Sequence, residues 1–99
     1  MARHNKIGEH KTSIYTEDGF TVVKYHETDV VKFNHDKIIL DSGEWRTVTT
    51  KTRMNQASNQ FGLGFGVYQK DYQWYVYIEA TGESIDFFDG MEIKRDFSN

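Results

Sequence analysis

The sequence predicts an α+β fold: a twisted antiparallel sheet of about six or seven short strands packed around one central α-helix, at about residues 49–61. Three observations lead there. Short β-branched and aromatic runs alternate with turns built from Gly, Asn and Asp, the pattern of an antiparallel meander. One stretch, Thr49–Phe61, instead repeats its apolar residues at helical spacing and stops at Gly62. Aromatic residues make up 15 % of a chain that is only 37 % hydrophobic, so large rings replace missing aliphatics and a core can still form.

Residues 1–11 are polar and aperiodic and read as a flexible N-terminus, leaving 12–99 as a single domain. Thr12 to Thr16 is a short candidate strand, closed by Glu17-Asp18-Gly19, where glycine accepts positive φ without a Cβ clash. Phe20–Tyr25, Thr28–Phe33 and Lys37–Asp41 follow as strands, separated by polar turns and ended by Ser42-Gly43. The helix comes next, capped by Thr47 or Thr49, with Gly62 in the left-handed position that closes a helix. Thr50, Met54, Ala57 and Phe61 share one face, and Met54, Ala57 and Phe61 should bury. Lys51, Asn55 and Asn59 form a polar stripe, with Arg53, Gln56 and Gln60 further round. Thr, Asn and Ser are poor helix formers, so this helix needs the sheet to hold it.

Beyond the helix, GLGFG (62–66) is a tight passage into strand Phe65–Gln69. It is no dinucleotide fingerprint, because it follows a helix and leads into a strand, the reverse of the required order. In Gln73–Glu79, Trp74, Val76 and Ile78 point one way and Gln73, Tyr75 and Tyr77 the other. Thr81-Gly82 turns the chain into Glu83–Phe87, and Asp89-Gly90 reads as a hairpin into Met91–Arg95. That last strand is an edge through which a homodimer can form.

Ninety-nine residues suit one domain with one core. With no cysteine there is no disulfide, thiol nucleophile or cysteine zinc site. No apolar run is long enough to span a bilayer and no signal peptide is visible, so the reading is cytoplasmic, with no membrane partner. The formal net charge of −3 argues against a general nucleic-acid binder. Its distribution is uneven, however: Trp45–Lys70 holds Arg46, Lys51, Arg53 and Lys70 and no Asp or Glu.

From Tyr25 onward the chain resembles a family of small, mostly uncharacterised bacteriophage proteins. The resemblance rests on Tyr25, His26, Thr28, Val30 and Val31, then Ser42, Gly43 and Trp45, then Thr49, Thr50, Lys51, Arg53, Met54, Asn55 and Gln56. It covers most of residues 25–78 and is most specific in the Trp-x-Thr-x-Thr-Thr-Lys-x-Arg-Met-Asn-Gln segment. Where the family pattern has a second glycine after Gly43, this chain has Glu44, so no positive φ is expected there. The resemblance implies phage origin and an accessory role in the cytoplasm of an infected bacterial host cell. It implies no reaction.

The residues themselves point to the helix start. Free N–H groups and the helix dipole favour an anion, yet the first turn offers Lys51 and Arg53 rather than Asp or Glu. Thr47, Thr49, Thr50, Lys51, Arg53 and Asn55 are therefore the candidate ligand- or phosphate-binding residues. Trp45, Tyr68, Tyr72, Tyr75, Tyr77 and His26 are candidates for stacking or contact, since bases stack on rings while cations follow the backbone. The plainer reading is a threonine cap with solvated cations and core tryptophans. His26, Glu27 and Asp29 are better explained as a polar strand junction than as a general-base group, because no nucleophile accompanies them. Asp86, Asp89 and Glu92 are expected of turns and not read as a metal site. No catalytic constellation, metal or cofactor is assigned.

Two functions follow. One is a phage accessory protein binding nucleic acid or another phosphate-bearing ligand through the basic helix start. The other is a protein-interaction module that inhibits a host enzyme or defence complex, in the manner of an anti-CRISPR, by presenting an acidic surface to a basic partner. An exposed aromatic patch would favour the second.

Overall fold

Short turns of two or three residues set the geometry of the first half of the chain. Asp18 and Gly19, at φ 53° and 82°, join β1 (Thr12–Glu17) to β2 (Phe20–Tyr25), the double positive φ that matches strand twist. The chain continues through β3 (Thr28–Phe33) and β4 (Lys37–Leu40) as an antiparallel meander. These details come from a computed structural model that describes residues 11–44 and 46–95. The expected flexible terminus, Lys11 apart, and Trp45 lie outside the described residues.

The α+β class is as the sequence predicts, and the described residues form one helix and eight strands. They form two antiparallel sheets rather than one. The larger runs β1-β2-β3-β4-β8, with β8 at Met91–Lys94; the smaller runs β5-β6-β7, at Phe65–Lys70, Gln73–Ile78 and Glu83–Asp86. Asp89-Gly90 is thus not a hairpin turn, because β7 pairs with β6 and β8 pairs with β4. The Phe87 amide still donates to the Trp74 carbonyl at 3.1 Å, and the Gly90 amide donates to the Leu40 carbonyl at 2.8 Å. Between those bonds the chain crosses from one sheet to the other. β8 is an edge strand, as expected of a pairing surface.

Each sheet turns one apolar face inward. Val23, Val31, Leu40 and Met91 lie in register across the large sheet, with Phe33, Ile38 and Ile93 in the next row. Phe65, Val67, Trp74 and Val76 do the same on the small one. A register shift beside Val23 leaves Val30 without a ladder partner, a bulge that adds one more valine to the core.

The helix α1 (Val48–Phe61) joins the two sheets. Thr47 caps it in extended backbone, its hydroxyl accepting from the Thr50 amide at 3.2 Å. Gly62, at φ 64°, ends it. Met54 and Ala57 bury completely, and Phe61 packs against Phe33 at 5.0 Å between ring centroids.

The other packing face is polar. Asn55 donates from Nδ2 to the Val67 carbonyl at 2.9 Å and accepts from the Val67 amide on Oδ1 at 2.7 Å. Ser58 donates from Oγ to the Phe65 carbonyl at 2.7 Å and accepts from the Phe65 amide at 3.1 Å. Two side chains one helical turn apart thereby supply what a neighbouring strand would give β5, and the β5 edge is closed by the helix.

Two predictions follow from this packing. Asn55→Ala orphans both backbone groups of Val67 and should cost about 1–3 kcal/mol, whereas Val48→Ala on the exposed face should stay within about 0.5 kcal/mol; urea denaturation compares them. Glu44, contrary to expectation, sits at φ 70°. The Ser42-Gly43-Glu44 turn is bonded by the Gly43 amide to Asp41 Oδ1 and by the Glu44 amide to Ser42 Oγ, and this outweighs the local backbone preference. Glu44→Gly should therefore raise stability by about 0.5–1 kcal/mol, relief of left-handed strain exceeding glycine's added unfolded-state entropy, measured as a higher urea midpoint.

Candidate functional site

The helix start separates the residues that its sequence groups together. Thr47 and Thr50 spend their hydroxyls on each other, 3.1 Å apart, and on the cap, with Thr50 fully buried. Thr49 is half-buried in the first turn. Arg53 is not a surface cation: it is 8 % exposed, donates from Nε to Thr12 Oγ1 at 2.9 Å and from NH1 to Gln56 Oε1 at 3.3 Å, and lies over the Tyr25 ring. Asn55 is spent on β5. Of the six candidate ligand residues, the structure turns Arg53 and Asn55 into packing residues.

Lys51 remains at the surface, with its ammonium 5.6 Å from the Trp74 ring and 3.5 Å from Gln69 Oε1. Arg46 joins it from the preceding loop, 4.9 Å from the Phe87 ring and 6.0 Å from that of Trp74. Trp74 is 2 % exposed, so the two cations cover a core ring rather than framing a stacking site.

Asp89 anchors this corner. Its Oδ1 accepts from both the Ser42 amide and the Ser42 hydroxyl at 2.7 Å, and its Oδ2 lies 4.0 Å from Arg46. Burial opposes ionisation of this carboxyl, but the Ser42 hydroxyl and amide, the Arg46 guanidinium and the Glu44 amide outweigh it and hold the pKa below the ordinary range. Of the other acids grouped with it, Glu92 is 3.5 Å from Lys37 and Asp86 lies on β7. No group of three potential metal ligands occurs among the described residues.

A cavity of about 430 Å³ opens beside the cap. Among the described residues, Tyr25, His26, Glu27 and Thr28 line it from the β2–β3 turn, and Val30, Ser42, Thr47 and Thr50 also line it. His26 has φ 56°, and its ring meets Tyr25 edge-on at 4.4 Å. Three sequence candidates, His26, Thr47 and Thr50, thus come together here.

Tyr75 and Tyr77 belong to a different surface, the outer face of the small sheet. Tyr68 pairs with Tyr75 across β5 and β6, their rings stacked at 5.5 Å and 27°. Tyr77 faces Gly66 on one side and Ser84 on the other. Tyr68 is 39 % exposed and Tyr77 41 %. Tyr72, in the turn below, is 97 % exposed at φ 69°, next to Asp71 at φ 53°. A bulky residue in that conformation costs free energy, and such strain gathers at working surfaces. Asp86 pairs with Tyr75 on the tyrosine face, whereas Glu83 pairs with Ile78 on the other, so one carboxylate borders the rings on the β7 side, with Lys70 at the far end.

The family model described as Kyanoviridae Gp96 protein matches residues 1–94. The chain belongs to this family. Its members are proteins of bacteriophages that infect cyanobacteria, which accords with the resemblance to small phage proteins. No curated protein and no solved structure matches the chain.

The Ser42–Asp89 link escapes sequence reasoning because its partners are 47 residues apart and Asp-Gly looks locally like a hairpin. Asp89→Asn keeps the shape and removes the charge, and should cost about 1–2 kcal/mol at neutral pH. The folded pKa lies below the unfolded one, so this stabilisation is present above about pH 4 and disappears as pH falls through the folded value. The wild-type advantage in urea titrations should be flat from about pH 8 to 5 and shrink below about 4.

Proposed function

We propose that this phage protein is an interaction module that docks a basic surface of a host protein against its tyrosine-bearing sheet face and so inhibits a host enzyme or defence complex, as an anti-CRISPR does, in the cytoplasm of the infected cell. The observation that carries this reading is the outward row of exposed Tyr68 and Tyr77 with half-buried Tyr75 between them, bordered by Asp86 opposite Tyr75. Tyrosines supply large contact area at low entropic cost and are enriched in protein interfaces. The Asp86 carboxylate at the edge of this row favours a basic partner. Among the described residues no helix is long and apolar enough to cross a membrane.

A second reading, single-stranded nucleic acid, draws on the Tyr68–Tyr75 stack with Lys70 and Gln73 paired at its end. The phosphate-bearing ligand at the helix start has less support, since Arg53 and Asn55 are committed to packing.

Affinity capture from infected cells, with nuclease treatment and mass spectrometry, separates these. The interaction reading expects a nuclease-resistant host partner whose affinity falls at least about tenfold with Tyr77→Ser or Asp86→Lys, a loss of central-contact size, and survives Lys51→Glu. Capture that vanishes with nuclease, weakens steeply with salt and depends on Lys51 or Lys70 would overturn it in favour of nucleic acid.

A further inference from the structure

The cavity beside the helix cap has a chemistry of its own, independent of the tyrosine face. At about 430 Å³ it falls within the range of small-molecule sites, about 300–1,000 Å³. Its walls are largely carbon, from the Tyr25 ring, the Val30 side chain and threonine methyls. Two of its lining hydroxyls are already engaged, that of Ser42 with Asp89 and that of Thr50 with Thr47.

Among the described lining residues, Glu27 and Thr28 offer acceptors to a ligand, beside the His26 imidazole and the Tyr25 hydroxyl. Glu27 is exposed at the rim and has no ion pair among the described residues; the Thr28 hydroxyl has no hydrogen-bond partner among them. Thr28 packs closely over Gly43, where a Cβ would collide with its Oγ1. The local backbone is shaped around the opening: His26 is held at positive φ and Val30 is the bulged residue of β3. Bulges and strained residues of this kind re-aim side chains beside sites.

Charge decides the ligand class. Among the described lining residues Glu27 is the one carboxylate, and with the Thr28 hydroxyl beside it this side of the cavity favours N–H donors. A slot with an aromatic wall and two acceptors suits a flat ring that carries an amino group. We propose that this cavity binds a neutral, amino-bearing nucleobase or nucleoside, its exocyclic amine donating to Glu27 and Thr28 and its ring lying against Tyr25.

Amide NMR titration of the full chain with cytidine, uridine and cytidine 5′-monophosphate tests this. Cytidine should shift amides at 25–30 and 47–50, uridine should bind at least about fivefold more weakly for lack of the amine, and the monophosphate should bind no tighter, as one hydrogen bond to a charged acceptor implies. Glu27→Gln and the isosteric Thr28→Val should each weaken cytidine at least about fivefold, with the remaining spectrum unchanged to show that the fold is intact. Absence of localised shifts at millimolar cytidine, tighter binding of the monophosphate, or wild-type affinity in both variants would overturn the proposal.

Discussion

The structure depends on a strand-like pairing made by side chains. Asn55 and Ser58, one turn apart on α1, each take both backbone groups of a β5 residue, Val67 and Phe65. A helix poor in strong helix formers cannot stand alone in water. Here it is held because four backbone groups of β5 would otherwise lose their partners on burial. The β5 edge, which could template aggregation, is closed by the same contacts. With the inward face of β5 and β6 fixed on the helix side, the alternation of the strands sends Tyr68, Tyr75 and Tyr77 outward. Helix packing and tyrosine exposure are two results of one constraint.

The opposite end of the helix is secured by a different device. The segment between β7 and β8 leaves the small sheet at Phe87 and enters the large one at Gly90, and between them Asp89 grips Ser42 and meets Arg46. The Thr47 cap follows directly from that loop. The sheets, the helix start and the cavity wall at Ser42 therefore share one polar junction. Removing a buried partner from such a junction costs more than a surface pair would suggest, because the groups left behind lose their solvation.

Much of this was legible in the sequence. Period-two alternation marks Gln73–Ile78, Asp-Gly marks the β1–β2 turn, and Thr47 with Gly62 brackets the helix, since these signals are local. What stayed hidden was pairing between distant segments. Asn55 and Arg53 read as ligand groups because a polar stripe on a helix looks the same whether it meets water or a strand edge. Asp89-Gly90 read as a hairpin because turn chemistry does not say which strand comes next. Glu44 read as an ordinary residue because its positive φ is imposed by hydrogen bonds around it. At the candidate site, exposure of Tyr77 followed from alternation, whereas the gathering of His26, Thr47 and Thr50 around one cavity required the tertiary fold.

The protein is a small phage-family scaffold whose helix is turned inward and whose aromatic sheet face is turned out. Native-state amide hydrogen exchange tests that arrangement most directly. If α1 closes the β5 edge, the Phe65 and Val67 amides exchange only in the opening that releases the central helix amides, with the same protection. Fast exchange of these two amides, like an open edge strand, while the helix amides stay protected, would contradict the account.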